Sequence, residues 1–255
     1  MKLILLPGIH GKETLFDDFI VYLAPDIDAE VMALPDHGRQ SYTRLTELIS
    51  ALLPIDEDYV LLGESFSGVI ARRIADTRPR RLRGVVLVSA FFSCPNPVLK
   101  VAEEWMPFAA VRQFVCSQWL LRLCCAGPQM RPEVLAQISR ALRAMPQSLL
   151  RARLDATVAL RASGAAARLG TPTCCIQPTQ DHFVDDRCVR EIKQTLVDAL
   201  VCKVEAPHFA LQAQPALCAS IVNHFVNRLP ERRVRPVWAA RQTDDYRVRI
   251  MTGRR

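Results

Sequence analysis

Three residues in one chain order carry the chemistry that this sequence can do. They are Ser65 in Gly63-Glu64-Ser65-Phe66-Ser67-Gly68, Asp181 in Thr179-Gln180-Asp181-His182, and His208 in Pro207-His208-Phe209. A neutral serine is a poor nucleophile, so a histidine must take its proton and a carboxylate must hold that histidine in the right tautomer. Ser65 is the candidate nucleophile because the apolar run Tyr59–Leu62 ends in small residues and leads into a helix-forming stretch. A sharp strand-to-helix turn strains the serine backbone and exposes Oγ, and it leaves little room for side chains at Gly63 and Ser67. The strict pattern G-x-S-x-G is met except at its fifth position, which is Ser67. Gly and Ser also punctuate ordinary turns, so the motif gains its weight from the rest of the chain.

His208 is the candidate base because it follows the strand-like Val201–Glu205 and precedes the last helical stretch. His224 falls inside that stretch and reads as a surface or packing residue. Asp181 is the candidate acid, in the loop after the apolar run Thr173–Gln177, with Asp185 and then Asp186 as rivals close by. A tetrahedral intermediate also needs donors for its oxyanion. The turn Pro7-Gly8-Ile9-His10-Gly11 offers the backbone N–H of Ile9, and the N–H of Phe66 directly follows the nucleophile. His10 then lies beside the pocket, to contact substrate or to cap the loop, while His37 reads as structural.

These groups need a frame, and the chain alternates segments that supply one. Short apolar runs occur at Leu3–Leu6, Glu30–Leu34, Tyr59–Leu62, Gly84–Ala90, Thr173–Gln177 and Leu200–Glu205. Between most of them, apolar positions recur at spacings of three and four, as in Leu15–Leu23, Tyr42–Leu53, Val69–Arg78, Cys188–Ala199 and Pro215–Asn227. Alternation of this kind specifies a mostly parallel sheet of about six strands covered by helices on both faces. Reactive groups in such sheets sit beyond the carboxyl ends of the strands. The rhythm breaks between Cys94 and Gly170, where only amphipathic helix is expected. That interval reads as a helical cap inserted after the strand that follows the nucleophile helix. Its apolar start, with Trp105 and Phe108, supplies candidate pocket residues together with His10 and Phe209, and a greasy cap favours an apolar substrate.

Composition bounds the rest. With 255 residues, half of them hydrophobic, the chain can bury a large core in one α/β domain. The division expected is a core in residues 1–93 and 171–229, a cap in 94–170 and a basic extension in 230–255. Beyond Pro230 eight arginines face three carboxylates, so the tail holds most of the net charge of +7 and no nucleic-acid partner is inferred from it. The opening apolar run stops at Pro7-Gly8, too short for an export signal or a stable membrane insertion. Nine cysteines without metal-ligand spacing read as reduced thiols of a cytoplasmic protein.

Taken together, the turn Leu6–Gly11, the loop Leu34–Ser41, the elbow at Ser65, the acid loop at Asp181 and Pro207-His208-Phe209 resemble the α/β-hydrolase superfamily over roughly residues 1–229. They are especially similar to its bacterial members whose elbow reads G-E-S-F-S-G. The chain order Ser, Asp, His is that of this fold. The resemblance implies a serine hydrolase that cleaves a small-molecule carboxylic ester with an apolar acyl or alcohol part through an acyl-enzyme, with no metal or organic cofactor. Thioester hydrolysis, acyl transfer and a non-catalytic binding role are the alternatives. It also implies that the chain starts at the strand that usually comes third, which leaves six.

Overall fold

The computed structural model describes residues 1–96, 107–128, 130–161, 170–184, 186–196 and 198–230. The pocket candidate Trp105, the rival acid Asp185 and the arginine-rich tail lie outside the described residues.

Six strands form one parallel sheet: β1 (Lys2–Leu6), β2 (Asp28–Val31), β3 (Tyr59–Glu64), β4 (Leu82–Val88), β5 (Thr173–Pro178) and β6 (Leu200–Val204). Their order is β2-β1-β3-β4-β5-β6, so β3, the strand that leads into Ser65, is central. Every residue of β3 is buried, which is why its sequence is a continuous apolar run rather than an alternating one. In register, Leu5 lies beside Leu62 and Leu62 beside Val86, which aligns the carboxyl ends of β1, β3 and β4. Alternate side chains then feed the two faces. Ile4, Leu6, Leu61, Val85 and Leu87 pack on one side, and Leu3, Leu5, Val60, Leu62 and Val86 on the other.

The first face is covered by α2 (Tyr42–Leu52) and α3 (Phe66–Asp76). Ser41 caps α2 by accepting the Arg44 N–H at 3.3 Å. The second face holds α1 (Asp17–Ile20) and the last helix of the described chain, Pro215–Asn227, through Phe16, Phe19, Val222 and Phe225. Between β4 and β5 the chain runs through α4 (Phe108–Cys116), α5 (Gln118–Leu121), a π-helical turn at Arg122–Ala126, α6 (Pro132–Ala144) and α7 (Gln147–Val158). These helices pack on one another around Ile138, Leu142 and Leu150 as a third apolar cluster. Beyond β5 follow α8 (Asp186–Thr195), α9 (Ala210–Ala213) and α10 (Pro215–Asn227).

Two elements depart from the sequence reading, each for a local reason. The helix expected over Leu15–Leu23 is regular only at Asp17–Ile20, since Tyr22 and Leu23 donate to Phe19 and Ile20 three residues back as the chain nears Pro25. Strand β2 begins and ends earlier than Glu30–Leu34, because it is an edge strand with one partner, half-exposed along its length. Among the described residues no helix is long and apolar enough to cross a membrane.

Candidate active site

The elbow is built by β3 ending at Glu64 and α3 beginning at Phe66, with Ser65 alone between them at φ 49° and ψ −111°. This is a conformation that an L-residue adopts at a cost of about 1–3 kcal/mol, and the surroundings must hold it. They do so from both sides: the Ser65 N–H donates to Val88 O at 2.8 Å, and Ser65 O accepts the Gly68 N–H at 2.9 Å. Strand and helix approach so closely here that a Cβ on Gly63 would lie 2.6 Å from the Ser67 carbonyl oxygen. Ser67, the departure from the strict motif, is fully buried and its hydroxyl donates to the Pro7 carbonyl. The serine thus ties the elbow to the turn after β1.

Ser65 Oγ lies 2.9 Å from His208 Nε2, and His208 Nδ1 lies 2.8 Å from Asp181 Oδ2. The second oxygen of Asp181 accepts the N–H groups of Phe183 and Val184 at 2.8 and 2.9 Å, which fixes the carboxylate in its loop. The imidazole is wedged between Phe183 and Phe209, with ring centroids 4.9 and 5.6 Å away. The structure therefore brings Ser65, His208 and Asp181 into one hydrogen-bonded run. Asp186 instead opens α8 and is exposed. His37 and His224 are exposed as well, the former paired with Asp36.

Burial disfavours the imidazolium of His208, but the charge and hydrogen bond of Asp181, joined by the charge of Glu64, outweigh it and raise the pKa. Because proton transfer from serine needs neutral imidazole, kcat/KM is expected to rise with pH along a limb centred above the ordinary 6.5. Stability runs the other way. The bound proton favours the folded state below the unfolded pKa, and this contribution is lost as pH rises through the raised folded value. In a pH–rate profile, Glu64→Gln is expected to move the limb downward; a wild-type midpoint at or below 6.5 would contradict this account of the site.

The candidate oxyanion donors come from separate elements. Phe66 is the first residue of α3, where peptide N–H groups have no intrahelical acceptor and the helix dipole is positive. Ile9 sits in a turn closed by the Gly11 N–H donating to Gly8 O at 3.0 Å. The peptide on its other side is fixed from a distance: Arg153 of α7 donates through Nη1 to Ile9 O at 2.7 Å. The same guanidinium donates to Pro35 O at 2.8 Å and to Gln40 Oε1 at 3.0 Å. Arg153 is 0% exposed, and burial lowers its pKa to about 10, with Asp36 acting in the opposite sense. It therefore stays charged at neutral pH while spending its donors on neutral acceptors.

Ser65 opens into a cavity of about 80 Å³ whose walls include Phe91, Leu121, Ile138, Leu142 and Leu154. Ile9, His10, Phe66 and Phe209 line it, as does Glu64. Phe108 does not reach this lining. It packs in the helical cluster, with the Arg151 guanidinium 5.5 Å over its ring. A larger cleft of about 180 Å³ lies behind Asp181 between Lys193 and Lys203, without Ser65 or His208 in its walls.

Several supporting residues carry no sequence signal of their own. Ser89, at φ 50°, donates its hydroxyl to His208 O at 2.6 Å. Gln212 donates to Glu64 Oε1 at 3.0 Å and to Leu15 O at 3.2 Å. The Phe209 N–H donates to Cys125 O at 3.3 Å, joining the loop of His208 to the π-helical turn. A feature that could have flagged Arg153 is an arginine on the inward face of an amphipathic helix, amid Leu149, Leu150 and Leu154. Among the described residues no group of three or more His, Cys, Asp or Glu side chains is arranged to hold a metal ion.

Comparison with known proteins agrees with this architecture. The family model of the alpha/beta hydrolase family matches residues 3–243. Polyketide synthase ThaQ of Burkholderia thailandensis is 25% identical over 223 residues, 80% of this chain and 10% of that protein. A pimeloyl-[acyl-carrier protein] methyl ester esterase of Yersinia enterocolitica is 26% identical over 146 residues, 55% of this chain and 45% of that protein. The chain thus spans less than half the length of these curated relatives. A hydrolase from Pseudomonas aeruginosa PA01 superposes with a TM-score of 0.75 at 20% identity, over 88% of this chain and 89% of that one.

Proposed function

The chain belongs to the alpha/beta hydrolase family, and from that premise we propose that it is a serine-dependent carboxylesterase acting on small esters with an apolar acyl or alcohol part. The observation that carries this reading is the continuous hydrogen-bonded run from Ser65 Oγ through His208 to Asp181, opening into a mostly apolar cavity.

In this mechanism His208 Nε2 takes the Ser65 proton as Oγ bonds to the ester carbonyl carbon. Charge develops on the carbonyl oxygen, where the N–H groups of Ile9 and Phe66 receive it. His208 then returns the proton to the departing alkoxide, leaving an acyl-enzyme. Water enters and gives a proton to His208 as its oxygen bonds to the acyl carbon, and His208 returns that proton to Ser65 Oγ as the C–Oγ bond breaks and the acid is released. Asp181 keeps the proton on Nδ1 in the resting state and stabilises the imidazolium during each transfer. The helices between β4 and β5 act as a cap from residues 94–170 over a core of residues 1–93 and 171–229, and residues 230–255 take no part in the chemistry.

A fluorophosphonate probe with peptide mapping tests the reading, with p-nitrophenyl esters of increasing acyl length run beside it. Ser65 is expected to be the labelled residue, in the full chain and in a chain ending at Pro230 alike. A cavity of about 80 Å³ holds only a few heavy atoms, so kcat/KM is expected to peak at a short acyl group and fall as the chain lengthens. Absence of labelling in folded protein would move the reading to a binding role on the same scaffold. One observation favours a second reading within the same chemistry: the matched relatives include an esterase named for an acyl-carrier-protein ester, and a polyketide synthase. A carrier-bound acyl substrate would then be cleaved as an ester or thioester. Turnover of an N-acetylcysteamine thioester above that of the oxygen ester with the same acyl group would decide for it.

A further inference from the structure

Two residues that line this cavity each carry a buried polar atom with no use in the reaction just described and no hydrogen-bond partner in the protein: Nε2 of His10 and Oε2 of Glu64. Both residues are only 3% exposed. Buried polar groups are nearly always paired, so an unpaired donor and an unpaired acceptor in one cavity call for a ligand. We infer that His10 and Glu64 form a subsite for a hydroxyl group of the substrate, which accepts a hydrogen bond from His10 and donates one to Glu64. The inference rests on the hydrolase reading of the same cavity.

The tautomer follows from geometry. The Lys12 N–H donates to His10 Nδ1 at 3.2 Å, so Nδ1 carries a lone pair and the ring proton of the neutral imidazole sits on Nε2. Burial, reinforced by the nearby charge of Arg153, lowers the His10 pKa to about 4 and keeps the ring neutral. Nε2 is therefore a donor across the neutral range. Glu64 is oriented in the complementary sense. Its Oε1 accepts from Gln212 Nε2 at 3.0 Å, which leaves Oε2 as the free acceptor. Burial raises the Glu64 pKa above its ordinary value, against the opposing hydrogen bond of Gln212, charge of His208 and N–H of Gly8. Both atoms lie beside Gly8, since a Cβ built there would be 3.7 Å from Glu64 Oε2 and 3.8 Å from His10 Nε2. A hydroxyl has one proton to give and lone pairs to accept with, at oxygen distances of about 2.7–3.0 Å from each partner. An alkyl group placed there would leave both protein atoms unpaired. Glu64 directly precedes Ser65 in the chain, and the recognised hydroxyl therefore belongs near the reacting carbonyl rather than at the far end of a long chain.

The test uses pairs of esters that differ by one hydroxyl, placed on the second, third or fourth acyl carbon or on the second carbon of the leaving alcohol. In wild type, one position is expected to show kcat/KM about ten- to a hundredfold above its deoxy partner, the scale of the net gain from two hydrogen bonds. The position tells whether the group belongs to the acyl or to the alcohol part. His10→Phe and Glu64→Met should each bring that ratio toward one, a change that a merely structural role would not produce. A wild-type ratio near one at every position, with both members turned over, overturns the subsite and leaves the hydrolase reading standing; it is the outcome expected if the pair holds only water. A ratio untouched by His10→Phe also overturns it. Failure of wild type to turn over any ester or to be labelled at Ser65 removes both readings together.

Discussion

Ser65→Ala is expected to lower kcat by about 10⁵- to 10⁶-fold, the scale on which a nucleophile is lost from a triad that acts as a unit. Alanine has no oxygen for acylation and fits the same backbone, so the thermal unfolding midpoint should stay within a degree or two of about the wild-type value. His208→Ala should fall in the same range and add little when combined with Ser65→Ala. Asp181→Asn should cost about 10⁴-fold, because an amide facing Nδ1 favours the wrong tautomer. Asp185→Asn is the control, and its effect should be far smaller. Single-turnover kinetics with an activated ester measures all of these. A Ser65→Ala protein that keeps more than a few per cent of its turnover would show that the nucleophile lies elsewhere, and a Asp185→Asn loss exceeding that of Asp181→Asn would reassign the acid.

Arg153→Met should act on both stability and rate. The guanidinium reaches Ile9 O, Pro35 O and Gln40 Oε1 with no exposure to solvent. Removing it leaves those acceptors buried and unpaired, for which about 3–5 kcal/mol is the usual scale when one partner of a buried charged network is deleted. Because one of the three carbonyls follows Ile9, the turn is freed to shift. A displacement of ~1 Å at a catalytic group costs about 10² in rate. Urea unfolding and kcat are the two measurements. Arg153→Lys should recover part of the stability and less of the rate, since one ammonium cannot span three acceptors in a plane. Loss of stability with kcat unchanged would show that the turn at Ile9 holds its shape unaided.

The contrast between these two predictions tells how far the sequence could be read. Ser65, Asp181 and His208 stand in loops whose neighbours in the chain announce them: an apolar run before each, and small or turn-forming residues around each. Local signals single out Ser65 and His208 and leave Asp181 with Asp185 and Asp186 as rivals, because each loop lies at a strand's carboxyl end and the parallel sheet gathers those ends. The parallel sheet of six strands is legible in the alternation of apolar runs and helices, whereas the order β2-β1-β3-β4-β5-β6 comes from the structure. Arg153 is different. Its partners are 113 to 144 residues away in the chain, and the leucines around it tell that it faces inward but not which carbonyls it reaches. Ser89 and Gln212 are hidden for the same reason, since a single long-range hydrogen bond leaves no periodicity. Phe108 shows the converse failure, an aromatic read as pocket lining that packs among its own helices. Apolar spacing tells that a residue is buried, but not against what.

The way Arg153 is held bears on how this protein could have diversified. The helices between β4 and β5 look like a module, contiguous in the chain and with an apolar cluster of their own. Yet α7 delivers the side chain that fixes the turn after β1, and the π-helical turn is bonded to the loop of His208. A graft that exchanged these helices for those of a relative would change the walls of the cavity at Ser65 and, in the same stroke, unpin the turn at Ile9 and the loop of His208. A chimera of this kind is expected to keep its fold better when the arginine and Gln40 are carried over with the helices.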